Sequence, residues 1–233
     1  MRSFIRNWHD IWSTKGLYQN DRWLDMDDLL ALSGYDSGAD GINAKIWRAW
    51  VSRLLCEIGV DKTVSTWLDV GCGSGSFLFS LPAEIYKHGF DYSESLIRVA
   101  ERYAVQRQIP CKLYSQDMTK SDLEIPKVDV ASCISSLQYI THQDALNLIE
   151  SLFNTVTQGV VIAETPDRNH LERAMTYRIN TLKYTPDEKL THTYYDPKFF
   201  DDLATQYSFR PMEIKVKLGN QSKFRWCRFY SKV

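Results

Sequence analysis

Long hydrophobic runs are missing from this chain. Val160-Val161-Ile162-Ala163 is typical of its uninterrupted apolar stretches, whereas a membrane span needs about 20 residues. Met1–Trp8 carries no apolar core of the secretory kind, so a cytoplasmic protein without membrane attachment is expected. Cysteine is sparse as well. The five, at positions 56, 72, 111, 133 and 227, show no Cys-x-x-Cys spacing, which argues against both a zinc site and a disulfide framework. Neither sign of charge dominates: 28 Lys and Arg against 29 Asp and Glu leave a formal net charge of -1. No global attraction to nucleic acid or anionic membrane follows from that balance. Internal repeats and low-complexity segments are absent too. What remains is 233 residues, 44% of them hydrophobic, a size that suits one α/β domain with decorations. Seven Trp and 13 Tyr are present. Many of them serve packing; any that cluster outside the sheet would line an aromatic pocket for a small organic molecule.

The pattern along the chain is an alternation. Phe4, Ile5, Trp8, Ile11 and Trp12 lie at helical spacing, Trp23–Leu32 reads as a second short helix, and Ile46, Trp50, Leu54 and Ile58 mark a third. Residues 36–41 read as a loop. Residues 1–60 therefore form a helical cap that is not an independent unit, and 61–233 the main domain. Within it, strands are expected at Val64–Val70, Glu84–Phe90, Cys111–Ser115, Val128–Ile134 and Val160–Glu164. Helices are expected at Ser76–Leu81, Ser93–Gln106 and Ala145–Val156, with Ser93 a suitable N-cap. Strands alternating with helices imply a parallel sheet covered on both faces. After Pro166 the rhythm changes. Asp167 would cap a helix carrying Leu171, Met175, Ile179 and Leu182, and Asp196-Pro197 opens another. Met212–Leu218 and Phe224–Lys232 read as a closing antiparallel hairpin about Gly219–Ser222. The fold class is thus α/β, a doubly wound, mostly parallel seven-stranded sheet.

Between the first strand and its helix stands Leu68-Asp69-Val70-Gly71-Cys72-Gly73-Ser74-Gly75. Glycine there tolerates positive φ and lets a ligand approach the backbone. A phosphate-binding turn would avoid an acid beside an anion, so Asp69 favours a ligand with a cationic group or hydroxyls. A dinucleotide fingerprint wants Gly-x-Gly-x-x-Gly, but position 76 is Ser and the third glycine comes early. Cys72 is a small packing residue between glycines.

This segment resembles the first motif of class I S-adenosylmethionine-dependent methyltransferases, and the similarity runs in order over roughly residues 60–165. The resemblance implies a Rossmann-like fold and S-adenosylmethionine as cofactor, with S-adenosylhomocysteine as product. It places Asp69, Gly71, Cys72, Gly73 and Gly75 against the cofactor, and Asp91, with Tyr92 beside it, on the ribose hydroxyls. Asp117 would accept from the adenine amino group and Met118 pack near the ring. Ser135 to Gln138 would line the floor of the transfer site. Trp8, Trp12 and Tyr18 would close over the cofactor or serve as plain packing residues.

Three candidates for a general base stand out. His142 follows the fourth strand, though Thr141 and Asp144 also make it a plain helix-start residue. Asp167 leaves the fifth strand at the carboxyl edge, where ligands gather in open α/β sheets. His192 lies in the aromatic run Thr191–Tyr195, where an ordinary pKa near 6.5 would let it accept a proton; surface packing is its alternative. The segment 167–195 is expected to form the substrate lid. The reading is methyl transfer to O or N of a small polar metabolite, leaning to antibiotic, modified-sugar or polysaccharide pathways. Protein or RNA methylation and a non-catalytic binding scaffold are the alternatives. Ser135-Ser136-Leu137-Gln138 does not resemble the Asn/Asp-Pro-Pro-Tyr motif of amino-methylating DNA enzymes. Arg168, Arg173, Arg178 and Lys183 spread around one helix instead of forming an RNA-binding face. No acidic pair for magnesium is evident, so no metal is expected. A monomer or homodimer acting on a small molecule is the expectation.

Overall fold

The computed structural model describes residues 8–17, 22–35, 41–121, 123–183 and 191–233. Tyr18, Phe4, Ile5 and most of the 36–41 loop lie outside them. Three helices come first: α1 (Trp8–Thr14), α2 (Met26–Leu32) and α3 (Ala44–Glu57). The alternating part follows as β1 (Thr66–Val70), β2 (Tyr86–Asp91), α4 (Glu94–Arg107), β3 (Cys111–Ser115), β4 (Val130–Ile134), α5 (His142–Thr155) and β5 (Gly159–Pro166). It closes with α6 (Leu171–Leu182), α7 (Pro197–Gln206), β6 (Phe209–Glu213) and β7 (Arg225–Lys232). The seven strands form one sheet in the order β3-β2-β1-β4-β5-β7-β6. β1 to β5 are parallel, and β7 runs antiparallel between β5 and β6.

Side chains alternate across a strand, and this sheet uses both faces. Trp67, Val130, Ile134, Val161 and Ala163 join one core with α2, α3 and α4. Leu68, Val70, Ala131, Cys133, Val160 and Ile162 join the other with α5 and α7. On the first face Trp47, Trp50, Phe77 and Trp67 pack in succession, tilted or edge-on, with ring centroids 5.1 to 6.4 Å apart. That run welds α3 to β1, so the leading helices share the core of the sheet.

Local signals account for most element ends. Ser93 caps α4, Thr141 caps α5, and Asp196 caps α7 ahead of Pro197. The helix expected at Ser76–Leu81 contracts to a 3-10 turn, Leu78–Ser80. The expected C-terminal antiparallel hairpin forms, but its first strand is displaced from Met212–Leu218. β6 begins at Phe209 and ends at Glu213, and residues 214–224 leave the sheet. The cause is on α3: the Glu57 carboxylate accepts from the backbone N–H of Lys215 at 2.6 Å and of Val216 at 3.0 Å. Those donors would otherwise have sought a strand partner. The diverted segment then carries Ser222 under the end of β5.

Candidate functional site

β1 and β4 are neighbours although three elements separate them in the chain, so the strand order reverses there. Crevices beyond the carboxyl ends of such strands are the usual ligand sites of open α/β sheets. A cavity of about 720 Å³ opens at this point, within the roughly 300–1,000 Å³ typical of small-molecule sites.

One half of the cavity is built on the glycine turn. Asp69 is buried and accepts from Ser132 Oγ at 2.7 Å, while Trp67 Nε1 donates to the same hydroxyl at 2.9 Å. Burial, opposed by the Ser132 hydrogen bond and reinforced by nearby Asp91, pushes the Asp69 carboxyl up to about 7. A cationic group would reverse that shift. Asp91, at the end of β2, accepts from the Gly73 N–H at 2.9 Å and the Ser93 N–H at 2.8 Å. Its carboxyl is also raised by burial, against those two hydrogen bonds. Asp117 accepts from the N–H and hydroxyl of Thr119, and Met118 is buried beside it. Gly71 has φ +70°, and a Cβ there would stand 2.6 Å from Ser136 Cβ. Gly73 is less crowded, with 3.5 Å to its nearest neighbour, Ser33 Oγ. Gly75 does not line the cavity; φ +86° and a ring carbon of Phe79 2.3 Å from an added Cβ make it a packing glycine.

The other half is assembled from distant segments. Glu164 sits at a bulge in the β5–β7 pairing with φ +55°, a conformation costing roughly 1–2 kcal/mol outside glycine. Such strain at a cavity wall is characteristic of functional sites. Its buried side chain lies 2.8 and 2.7 Å from Ser222 Oγ, which donates to it. Burial raises its carboxyl, opposed by the charge of Arg225 and by Ser222. Arg225 donates to Gln138 Oε1 at 2.9 Å and to the Glu164 carbonyl, and Gln138 Nε2 donates to the Tyr139 hydroxyl at 2.9 Å. Tyr35 reaches the same corner, its hydroxyl kept protonated chiefly by burial.

His192 lies on this wall, stacked on Trp8 at 4.8 Å and edge-on to Tyr139 at 5.4 Å. Arg178 Nη1 stands 3.3 Å from its Nδ1. Guanidinium only donates, so Nδ1 accepts and the ring proton of a neutral His192 is on Nε2. Burial, then the charges of Arg178 and Arg225, push its pKa down to about 3. The expectation that His192 accepts a proton is therefore corrected: it is a neutral hydrogen-bond donor.

The other two base candidates stand away from the cavity lining. His142 is the first residue of α5, with Nε2 3.2 Å from the Tyr194 carbonyl and its ring against Tyr195. Asp167 accepts from the Asn169 N–H at 2.9 Å and caps the turn before α6. Both are placed by helix starts. Ser135, Gln138, Tyr92, Cys72 and Trp12 do line the cavity, as do Gly71, Gly73, Asp69, Asp91, Asp117 and Met118. Sequence reasoning missed Glu164, Tyr35, Arg225 and Ser222. The sheet-edge rule that singled out Asp167 applies equally to Glu164, three residues earlier; no local signal marks the others. Among the described residues, no three His, Cys, Asp or Glu gather to hold a metal, and no helix is long and apolar enough to cross a membrane.

Known proteins carry the same pattern. The model of a family described as a methyltransferase domain matches residues 68–159. The ubiquinone biosynthesis O-methyltransferase of Coxiella burnetii is 30% identical over 135 residues, 54% of this chain and 54% of that protein. A human tRNA N(3)-cytidine methyltransferase is 28% identical over 124 residues, 48% of this chain and 43% of that protein. The chain thus spans about half the length of the curated relatives it matches. The magnesium protoporphyrin IX methyltransferase of Synechocystis PCC 6803, solved with bound SAH, shares the fold. Its TM-score is 0.65 at 15% identity, over 97% of this chain and 96% of that one.

Proposed function

We propose that this chain is a class I S-adenosylmethionine-dependent methyltransferase that transfers a methyl group to O or N of a small polar metabolite. The observation that carries the reading is one cavity with two chemically different halves, three acids on the glycine-turn side and a polar, aromatic wall opposite. S-adenosylmethionine, when bound, supplies an electrophilic methyl on its sulfonium. Asp69 would hold its ammonium, a role consistent with a buried carboxylate that has no ion pair among the described residues. Asp91 would take the ribose hydroxyls with two carboxylate oxygens. Asp117 and Met118 would take the adenine.

On the opposite wall Glu164 is the proton acceptor in this reading. It faces the cavity, Ser222 holds it, and its raised carboxyl brings it closer to the working pH, which favours general-base action. Trp8, Trp12 and Tyr139 would exclude water. If the acceptor loses its proton in the transfer, Glu164→Gln should lower kcat by about 10²–10⁴-fold with cofactor affinity retained. The small-molecule partner and cytoplasmic location belong to the same reading. An RNA acceptor is a second reading, favoured by the likeness to the tRNA enzyme; the wall of aromatic side chains over the cavity favours a small acceptor instead.

Titration calorimetry with S-adenosylmethionine and S-adenosylhomocysteine tests the proposal, and no binding of either would sink it. Asp91→Asn preserves side-chain volume and should cost at least roughly a hundredfold in affinity, as the loss of two charge-assisted hydrogen bonds implies. An unchanged affinity would refute the ribose assignment.

A further inference from the structure

Arg225, Gln138 and Tyr139 form a chain of hydrogen bonds whose direction is fixed by chemistry. A guanidinium has donors only, so the Gln138 atom 2.9 Å from Arg225 Nη1 is the amide oxygen. The amide nitrogen therefore faces Tyr139 and donates to its phenol oxygen at 2.9 Å. The phenol must turn its own hydrogen elsewhere, and no acceptor for it stands among the described residues. Tyr139 lines the cavity, and burial keeps its hydroxyl protonated against the pull of Gln138, Arg225 and Arg178. Its donor is thus left for whatever the cavity holds. Two more donors beside the Tyr139 ring lack partners among the described residues, Trp12 Nε1–H and His192 Nε2–H. Their ring centroids lie 5.5 and 5.4 Å from that of Tyr139. An unmet buried donor costs about 1–3 kcal/mol, so three of them about one ring mark a place for an oxygen acceptor.

We infer that this corner holds an uncharged carbonyl oxygen of the methyl acceptor, with the Tyr139 hydroxyl as its principal donor. The inference rests on the methyl-transfer reading and names the acceptor class: a planar ring that bears such a carbonyl. A carbonyl oxygen has two lone pairs and no hydrogen, so it meets converging donors without adding one of its own. A hydroxyl would bring a further hydrogen to a corner already made of donors. A carboxylate would need a free counter-charge, whereas Arg225 is spent on Gln138 and the Glu164 carbonyl, and Arg178 is engaged as well. The same Arg225 nitrogen serves Gln138 and the Glu164 backbone, so the donor chain and the proton acceptor are built on one guanidinium. Trp8 and Trp12, both edge-on to Tyr139, add flat apolar surface that suits a planar ring.

The test is calorimetry on the full chain saturated with S-adenosylhomocysteine, using 4-hydroxyacetophenone, 4-ethylphenol and 4-hydroxybenzoate as probes. All three are phenols, and they differ in carrying a carbonyl, an ethyl group or a carboxylate. The carbonyl probe should bind at least roughly fivefold more tightly than 4-ethylphenol, the effect of one neutral hydrogen bond. Tyr139→Phe should erase that preference while S-adenosylhomocysteine still binds, which also shows that the variant folds. Gln138→Glu gives an independent reading, because its carboxylate would accept from both Arg225 and the Tyr139 hydroxyl. The phenolic hydrogen would then turn away from the cavity, and the preference should be lost with Tyr139 still in place. Carbonyl and ethyl probes bound alike, a preference that survives either substitution, or tightest binding of 4-hydroxybenzoate overturns the inference. Failure of S-adenosylhomocysteine to bind the unmodified chain would instead overturn the methyl-transfer reading, and this inference with it.

Discussion

Asp69 carries the clearest energetic consequence of a single side chain. Its carboxyl, ordinarily at 3.8, is raised by burial to about 7 in the folded chain. Between those values the folded state binds more protons than the unfolded one, so stability falls as pH rises through the window and levels off above it. Asp69→Asn keeps an oxygen for Ser132 and removes the titration. The variant should therefore be more stable than the parent at about pH 8, by on the order of a few kcal/mol, with the gap closing towards about pH 5. Urea denaturation across that range measures it; a gap independent of pH would show that another group titrates. The same change should weaken S-adenosylmethionine binding. Stability is gained where an ammonium partner is lost, as expected of a side chain kept for a ligand and not for the fold.

Elements meet the two edges of the sheet with opposite chemistry. At the amino edge Asp129 ties β4 to β1, accepting from the N–H and hydroxyl of both Ser65 and Thr66 and from Thr157 Oγ1, all within 2.8 to 3.0 Å. Burial opposes its charge, yet those donors prevail and lower its carboxyl to about 2. Its contribution is present above the ordinary value of 3.8 and is lost as pH falls through about 2. Asp129→Ala should cost about 1–3 kcal/mol of stability and leave S-adenosylhomocysteine affinity unchanged, because the cavity lies at the other edge. A parallel loss of affinity would break that separation. At the carboxyl edge α1 is tethered to α4: Ser93 Oγ donates to the Trp12 carbonyl at 2.8 Å and Ser95 Oγ to the Ser13 carbonyl at 2.9 Å. Gly16 completes the seat, since a Cβ there would stand 2.4 Å from the Ser95 carbonyl oxygen. Gly16→Val should lift α1 and its tryptophans from the cavity and lower S-adenosylhomocysteine affinity several-fold, roughly 1 kcal/mol, with the helical content retained by circular dichroism. Full affinity in this variant would remove α1 from the closure.

At the scale of the molecule, ligand binding and folding are one equilibrium. Two cores on opposite faces of one sheet meet at the β1–β4 switch point, and a ligand seated there touches both halves. S-adenosylhomocysteine at a hundred times its Kd should add about 2.7 kcal/mol to stability, a rise in Tm of roughly 5–10 °C for a chain of this length. Differential scanning fluorimetry reads it directly, and no shift at that excess would contradict a native-state site. The succession of the first five strands along the chain and the placing of Asp69, Asp91 and Asp117 at strand ends were legible in the linear chain. Each acid ends a parallel strand or follows one, and parallel strands deliver their carboxyl ends to a single edge. His142 and Asp167 obey the same local pattern yet are spent on helix starts. Proximity to an edge does not decide which way a side chain turns. The closing hairpin formed with its first strand displaced, for a related reason: alternation in Met212–Leu218 suits a strand, but Glu57, 158 residues before Lys215, takes its backbone donors.

By itself, then, the sequence determined the class of fold and the glycine-turn half of the cavity, because backbone conformation, glycine placement and strand-end acids are short-range properties. Only the tertiary structure decided the opposite half. Glu164, Ser222, Arg225, Arg178 and His192 come from a bulge, a diverted loop, a strand, α6 and the residues just before α7, and their meeting depends on how those elements pack. The tautomer of His192, which turns an expected base into a donor, is set by one contact with Arg178. No periodicity along the chain encodes that contact.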